Sequence, residues 1–250
     1  MKSILIIGSS HVGAIKHGID SLKTPEGIQC SYLALPGKAF PNLKVKGRDV
    51  TFPAKLSEYI EDLFGFKKCV CLDDFDRVVF VHGPSRLNIR LYSHDRRIPF
   101  LSAAIVKQIV THIKVPLFQS LKAVLDPSKL IFLGAPLISS NAVMLKHIQQ
   151  VPLFDDESDA ARASFLVNSI RNICSATLLD QSTPSILLPP VHLLTSDQFN
   201  TLDTFIRRGL RVDGRQRGAA DPDFEIDMGH GNSLYGQEMG RLILDYVNQP

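Results

Sequence analysis

Short apolar runs alternate along the chain with longer stretches in which apolar residues recur three and four positions apart. The runs have the length of strands and cover Ser3–Ile7, Gln29–Ala34, Arg77–His82, Lys129–Leu133 and the proline-flanked Ser185–Leu188. The longer stretches have helical periodicity and cover His11–Leu22, Phe100–Leu125, with a break near Pro116, and Ser158–Leu179. A final amphipathic helix is predicted after His230.

Continuous apolar strands that alternate with helices are typical of a parallel sheet covered on both faces. The predicted strands end in turns that contain Gly or Pro, and ligands bind at the carboxyl ends of the strands in such sheets. Because we find no internal repeat or linker, we predict one α/β domain over residues 1–250. Ser10, Gly37 and the segment Gly83–Asn88 are expected to gather at one edge of its sheet.

Composition and charge exclude several classes of protein. The 250 residues are 44% hydrophobic and 21% charged, and their net charge of +3 favours neither nucleic acid nor an anionic membrane as a partner. No apolar run approaches the roughly 20 residues of a membrane span, and the start lacks a signal-peptide pattern. The cysteines lack zinc-site spacing and are expected to be free thiols, at Cys30, Cys69, Cys71 and Cys174. We therefore expect a cytoplasmic protein without a metal or other cofactor.

The first predicted strand ends at Gly8 and leads Ser9, Ser10 and His11 into a turn before a helix. This turn lacks the middle glycine of a dinucleotide-binding motif and the Lys-Ser/Thr pair of a phosphate-binding loop. One interpretation left is a nucleophilic serine at a helix N-terminus, where backbone amides stabilise an oxyanion. The other interpretation is that Ser9 or Ser10 simply caps the helix.

Asp227 and His230 stand three positions apart, ahead of the final predicted helix. Such a pair often only caps a helix or bonds locally. A metal site needs further ligands in matching spacing, and no convincing set stands nearby. A serine together with a distant aspartate and histidine has the composition of a nucleophilic acyl-transfer site. In that interpretation Ser10 is the nucleophile, His230 is its base, and Asp227 orients the base.

A polar segment, Gly83–Asn88, follows the predicted strand Arg77–His82. It is interpreted either as a plain loop or as a polar shelf over the first turn, from which Ser85 or Asn88 donates to an oxyanion. Arg86 within it is either a solvated surface residue or a guanidinium group that recognises a carboxylate or phosphate.

Taken in order, these motifs resemble those of the SGNH (GDSL-type) hydrolases. That family has Gly-Asp-Ser on the first strand-to-helix turn, a glycine after the second strand, Gly-x-Asn-Asp after the third, and Asp-x-x-His near the C-terminus. The matching positions here are Gly8-Ser9-Ser10, Gly37, Gly83-Pro84-Ser85-Arg86 and Asp227 with His230, trailed by Gly231-Asn232 and Tyr235-Gly236.

The resemblance implies a fold and a set of site residues. The implied fold is a three-layer α/β/α arrangement with a mainly parallel, flavodoxin-like sheet. The implied catalytic residues are Ser10, His230 and Asp227. The implied oxyanion-hole residues are Ser10 and Gly37, with Ser85 or Asn88. The candidate substrate-binding residues beside these motifs are His11, Arg86 and Asn232.

Two positions depart from the family pattern. Ser9 stands where the family has Asp, a side chain that is not the nucleophile. The third motif, Gly83-Pro84-Ser85-Arg86, lacks the expected Asn. If neither Ser85 nor Asn88 donates, the oxyanion hole consists of the Ser10 and Gly37 backbone N–H groups, and losing one donor typically costs on the order of 10²–10³ in rate.

The resemblance implies a serine esterase or deacetylase that cleaves a small or carbohydrate-linked ester. Two alternatives stay open at this point. One is an acyltransferase of the same fold that moves an acetyl group onto a glycan, since both enzymes use the same residues and differ in whether water or an acceptor takes the acyl group. The other is a catalytically impaired homologue that binds its ligand in the same cleft.

Overall fold

The computed structural model describes residues 1–22, 25–35, 39–82, 116–134, 185–187, 189–194, 201–206, 209–210, 213 and 230–249. The strands within these residues are β1 (Lys2–Gly8), β2 (Ile28–Ala34), β3 (Lys44–Lys46), β4 (Asp49–Thr51), β5 (Cys69–Cys71), β6 (Arg77–His82), β7 (Leu130–Gly134) and β8 (Ser185–Leu187). The helices are α1 (Val12–Ser21), α2 (Ser57–Phe64), α3 (Pro116–Val124) and α4 (Ser233–Asn248).

The main sheet of the described residues has the order β2-β1-β6-β7-β8, and every neighbouring pair in it is parallel. Counted within this sheet alone, the order is 2-1-3-4-5, which is one of the two common doubly wound orders. The predicted α/β class with a parallel sheet is therefore confirmed. The strand order reverses between β1 and β6, and the carboxyl ends of these two strands flank the position where such sheets bind ligands.

The two faces of the main sheet pack against different helices because successive strand residues point to opposite faces. On one face, Leu5 of β1 and Phe80 of β6 are buried in the same cluster as Phe118 of α3. On the other face, Ile6 of β1 is buried in a second cluster with residues of both α1 and α4. The members of the second cluster contributed by those helices are Val12, Ile15, Ile19, Tyr235, Met239, Ile243 and Val247.

Helices α1 and α4 approach each other closely enough that small residues are needed between them. A Cβ atom added at Gly236 would overlap the carbonyl oxygen of Ala14, and one added at Gly18 would overlap the backbone of Gly236. One added at Gly240 would lie 2.8 Å from Ile19 Cγ1. Because the contacts advance in the same order along both helices, the helices run in the same direction. Their N-termini therefore lie at the same end of the pair.

A small antiparallel sheet, of order β3-β4-β5, lies outside the main sheet. The alternation at Cys69–Cys71 indicates a strand in the sequence, whereas β3, β4 and α2 are not predicted from it.

Cys69 and Cys71 of this sheet and Cys30 of β2 are free. Burial, together with Asp20, raises the pKa of the Cys30 thiol to about 11, so this thiol stays protonated and unreactive at neutral pH.

The predicted strands of the main sheet are confirmed to within one residue at each end. The final amphipathic helix is confirmed as α4, and the first predicted helix as α1. Of the helix predicted over Phe100–Leu125, the described part is α3, whereas residues 100–115 lie outside the described residues. The helix predicted over Ser158–Leu179, and Cys174 with it, lie outside the described residues. None of the helices in the described ranges combines the length and hydropathy that a membrane crossing requires.

The beginning of β1 is held by a carboxylate in the loop before β6. Asp76 Oδ2 accepts hydrogen bonds from the Ser3 backbone N–H at 2.7 Å and from Ser3 Oγ at 3.0 Å. These two bonds, the backbone one first, hold the pKa of the Asp76 carboxyl below its ordinary value of 3.8. A depressed native pKa stabilises the fold at pH values above the ordinary pKa, and this contribution is lost as the pH falls through the native value.

We therefore expect Asp76→Asn to be less stable than the wild type at neutral pH. The difference in the free energy of unfolding should shrink as the pH falls below about 4, because the wild-type carboxylate becomes protonated and loses its advantage. Urea unfolding at a series of pH values measures this difference. A difference that is the same at every pH would contradict the role assigned to the Asp76 charge.

Candidate active site

The turn after β1 presents Ser10 at the carboxyl edge of the main sheet. Gly8 ends β1 beside Val81 of β6, and a Cβ atom there would lie 2.5 Å from the Val81 carbonyl oxygen, so the close pairing requires glycine. The turn itself is closed by Val12 N–H donating to Ser9 O at 3.1 Å. Helix α1 begins at Val12 with His11 at the N-cap position, and no side-chain capping bond is present there. Ser10 is therefore not the N-cap residue of α1.

His230 lies three residues before the start of α4, in a segment that hydrogen bonds fix on two sides. Asn232 is the N-cap residue of α4, and its Oδ1 accepts from Tyr235 N–H at 3.1 Å. Its Nδ2 donates to Thr204 O at 2.6 Å, and its backbone N–H donates to Phe205 O at 2.9 Å. The chain around His230 is therefore tied both to α4 and to the neighbouring segment 204–205.

A buried tyrosine fixes the first turn of α4 to the main sheet. Tyr235 is 1% exposed, and its hydroxyl donates to the carbonyl oxygen of Gly134, the last residue of β7, at 3.3 Å. Burial raises the pKa of Tyr235 far above its ordinary value, so the hydroxyl stays protonated and remains a donor. A Cβ atom at Gly231 would overlap the Tyr235 ring, so the residue after His230 has to be glycine. These contacts place His230 at the carboxyl edge of the sheet.

Ser10 and His230 meet at this edge although they are 220 positions apart in the sequence. Their Oγ and Nε2 atoms are 2.7 Å apart, which is an ordinary hydrogen-bond length, and the pair is partly buried. A neutral imidazole with its proton on Nδ1 accepts the Ser10 hydroxyl proton at Nε2. This is the contact that a serine nucleophile and its general base require.

His11 adds a contact that the sequence interpretation misses. Its ring stacks on the ring of His230, with centroids 4.7 Å apart and planes inclined by 19°. His11 is predicted for substrate binding, and that role stays a prediction. The sequence offers one clue to this contact, which is that His11 directly follows Ser10. A residue next to the nucleophile lies close to the base that the nucleophile contacts.

The remaining predicted site residues divide into two groups. Asn232 lies within the described part of the chain and uses its side chain to cap α4 and to bind Thr204. This is a structural role, and its predicted substrate contact stays a prediction. The predicted residues that lie outside the described ranges are Gly37, Ser85, Arg86, Asn88 and Asp227.

In the described ranges, no group of three or more His, Cys, Asp or Glu side chains is placed to hold a metal ion.

The two side-chain bonds of Asn232 lead to a testable prediction. We expect Asn232→Ala to lower the free energy of unfolding by about 1–2 kcal/mol, because it removes a helix cap and a second hydrogen bond. Urea unfolding measures this loss. Asn248→Ala, the same change at the exposed far end of α4, is the matched control and should be nearly neutral. Equal stability of the two variants would contradict the anchoring role of Asn232.

Comparisons with protein-family models, with curated proteins and with solved structures find no match to this chain. A functional assignment therefore rests on the order of the motifs in the sequence and on the contacts around Ser10 and His230.

Proposed function

We propose that this chain is a serine esterase or deacetylase of the SGNH type that cleaves a small or carbohydrate-linked ester. The observation that carries the proposal is the hydrogen bond of 2.7 Å between Ser10 Oγ and His230 Nε2. Two segments 220 positions apart bring a hydroxyl and an imidazole together. The N-terminal caps of α1 and α4, as the structure describes them, use neither the Ser10 nor the His230 side chain. A nucleophile within hydrogen-bond reach of its base is the geometric signature of covalent acyl transfer.

In the proposed reaction His230 Nε2 removes the Ser10 hydroxyl proton while Oγ attacks the ester carbonyl carbon. The bond from Oγ to carbon forms, and the carbonyl oxygen takes the negative charge. The imidazolium then gives its proton to the leaving alkoxide as the ester bond breaks, which leaves an acyl group on Ser10. Water then attacks the acyl carbon while His230 Nε2 takes one of its protons. The bond from Ser10 Oγ to the acyl carbon breaks, the imidazolium returns its proton to Oγ, and the carboxylic acid is released.

The charge of the intermediate calls for donors at the carboxyl edge of the sheet. Helix α1 begins two positions after Ser10, and the positive end of its dipole favours an oxyanion there. We assign the oxyanion hole to the backbone N–H groups of Ser10 and Gly37, with Ser85 or Asn88 as a further donor. Asp227 is assigned to the Nδ1–H of His230, where a carboxylate fixes the tautomer that leaves Nε2 free to accept a proton.

The proposed fold is the three-layer, flavodoxin-like arrangement of the SGNH hydrolases. Its support is the order β2-β1-β6-β7-β8 and the burial of the two sheet faces against different helices. In sheets of this order ligands bind where the strand order reverses, which is between β1 and β6. Ser10 lies two residues after the end of β1, which supports its assignment as the nucleophile at that position.

A fluorophosphonate probe tests the proposal, because it forms a covalent bond only with an activated serine. We expect the wild type to be labelled on the peptide that contains Ser10, and Ser10→Ala to remain unlabelled. Ser9→Ala is the matched control, since it removes the neighbouring hydroxyl and leaves the backbone turn intact; it should be labelled like the wild type. A folded wild-type protein without labelling would contradict the proposal and favour the ligand-binding alternative.

Release of acetate from p-nitrophenyl acetate separates hydrolysis from transfer. A hydrolase releases acetate and nitrophenol in equal amounts in water alone. An acyltransferase instead accumulates the acetylated enzyme until a hydroxyl acceptor is added, because water reaches its acyl group slowly. If one sample is labelled by the probe and a second, unlabelled sample forms a stable acetyl-enzyme, acyl transfer at the same site would replace the esterase assignment.

A further inference from the structure

We propose that His11 is a positioning residue, whose ring holds the imidazole plane of His230 in line with Ser10 Oγ. The inference rests on the proposed function, because it gives His11 a role in proton transfer at that site. The juxtaposition that carries it is the stack of the two rings, 4.7 Å between centroids and 19° between planes, on the same imidazole that meets Ser10 at 2.7 Å.

The stack opposes rotation about the terminal side-chain torsion of His230, which sets the plane of its imidazole ring. The lone pair of Nε2 lies in the plane of the imidazole ring, so the direction from which His230 accepts a proton rotates with that plane. The terminal torsion of a histidine side chain has a broad energy profile and sets the plane only weakly. A parallel ring at stacking distance opposes its rotation, because turning the plane would drive one edge of the ring into the neighbour. The stack therefore keeps Nε2 directed at Ser10 Oγ.

His11 is well placed to provide a fixed surface. Its backbone is already helical, with φ −67° and ψ −22°, at the N-cap position of α1. The next residue, Val12, is fully buried in the cluster between the main sheet, α1 and α4. Ser10 and His11 are adjacent on this anchored turn, so the nucleophile and the stacking ring move together. His230 thus contacts the same turn through the edge of its ring, at Ser10, and through the face of its ring, at His11.

A substrate-binding role for the same side chain makes a different kinetic prediction. A residue that only binds substrate affects KM, whereas a residue that orients the base affects kcat. With p-nitrophenyl acetate as substrate, we expect His11→Ala to lower kcat roughly 10- to 100-fold, the range associated with small misplacements of reacting groups, and to change KM little. We expect His11→Phe to recover most of this loss, because a phenyl ring stacks without offering polar atoms. A raised KM with unchanged kcat in His11→Ala would overturn the inference.

Proton–carbon correlation spectra of the histidine rings test the stack without any turnover. His230→Gln identifies the His230 signals among those of the 8 histidines. We expect these signals to be shifted upfield by the facing ring in the wild type, to lose that shift in His11→Ala and to keep it in His11→Phe. Cooperative urea unfolding shows that each variant is folded. Unchanged His230 signals in folded His11→Ala would overturn the inference.

The two measurements also separate the inference from the proposed function. A protein that shows no labelling by fluorophosphonate and no ester hydrolysis, but a shift that depends on His11, has lost the esterase assignment while the positioning of His230 by His11 stands. An active protein whose kcat is the same in the wild type, His11→Ala and His11→Phe keeps the esterase assignment and overturns the positioning role.

Discussion

Replacing His230 by alanine is expected to lower kcat for p-nitrophenyl acetate by about 10⁴- to 10⁶-fold, the range seen when the histidine of a serine–histidine pair is removed. The reason is that Ser10 Oγ is only 2.7 Å from His230 Nε2 and would lose the group that accepts its proton. A serine hydroxyl without such a base is a weak nucleophile at neutral pH. Initial rates under saturating substrate measure the effect, and loss of fluorophosphonate labelling should accompany it.

His192→Ala is the matched control for this experiment. His192 also bonds through Nε2, to Glu238 Oε2 at 3.1 Å, but its side chain is 60% exposed and its partner is a carboxylate. Removing this surface pair should leave kcat within about twofold of the wild type and change stability by less than about 1 kcal/mol. If His230→Ala retained as much activity as His192→Ala, the role of general base would have to be withdrawn from His230.

Gly236→Ala is expected to lower the free energy of unfolding by about 3 kcal/mol, which is large for a single added methyl group. The added Cβ would overlap the carbonyl oxygen of Ala14, and backbone atoms cannot move aside by changing rotamer. Helices α1 and α4 would have to separate. In an unpacked helix the same change would instead stabilise by about 1 kcal/mol, so the expected effect has the opposite sign from helix propensity. Urea unfolding measures it.

Gly240→Ala provides a graded comparison on the same helix face. Its Cβ would lie 2.8 Å from Ile19 Cγ1, a side-chain carbon, and 3.5 Å from Ile19 N, so a shift of the side chain by a few tenths of an ångström relieves the contact without moving the backbone. We expect this variant to lose no more than about 1 kcal/mol, since the gain in helix propensity offsets part of the strain. Separation of α1 from α4 also moves Ser10 away from His230, so fluorophosphonate labelling should fall in Gly236→Ala and persist in Gly240→Ala. Equal stability of the two variants would contradict the close helix contact.

The main sheet was predictable because its strands are buried on both faces. A fully buried strand needs an uninterrupted apolar run, such as Ile4–Ile7 or Ile131–Leu133, and few other structures produce such a run at this length. The alternation of these runs with helical periodicity then indicates a parallel sheet. Helix α4 was predictable for a similar reason, since its buried residues recur along one face over four turns.

The small sheet and α2 leave almost no pattern in the sequence. Strands β3 and β4 have three residues each, and each has a polar or charged residue on both sides of a single valine. A strand this short is held by its neighbours in the sheet and not by its own propensity. Helix α2 has eight residues, of which only Ile60 is fully buried. One buried residue defines no period, so the helix cannot be distinguished from a loop.

For the candidate site, the order of the motifs along the whole chain supported a serine–histidine–aspartate site, which no single motif supported by itself. Taken alone, Ser9 and Ser10 favoured a helix cap, and a lone Asp-x-x-His such as Asp227 with His230 often only caps a helix or bonds locally. The distance between Ser10 and His230 depends on how α1 packs against α4. That packing depends on small residues such as Gly18 and Gly236. The stack of His11 on His230 was even harder to predict from the sequence, because it depends on the angle between two ring planes and not on residue type or spacing.

The distance in sequence between Ser10 and His230 also has a consequence for how the protein matures. During synthesis β1 and α1 emerge from the ribosome early, and His230 follows 220 residues later. Strands β1, β2 and β6 can pair before α4 exists, whereas the contact of α1 with Gly236 cannot form until then. Contacts this distant along the chain form late because the intervening loop must close first. Reactivity at Ser10 should thus appear only when α4 docks, and a fluorophosphonate pulse would time the last step of folding.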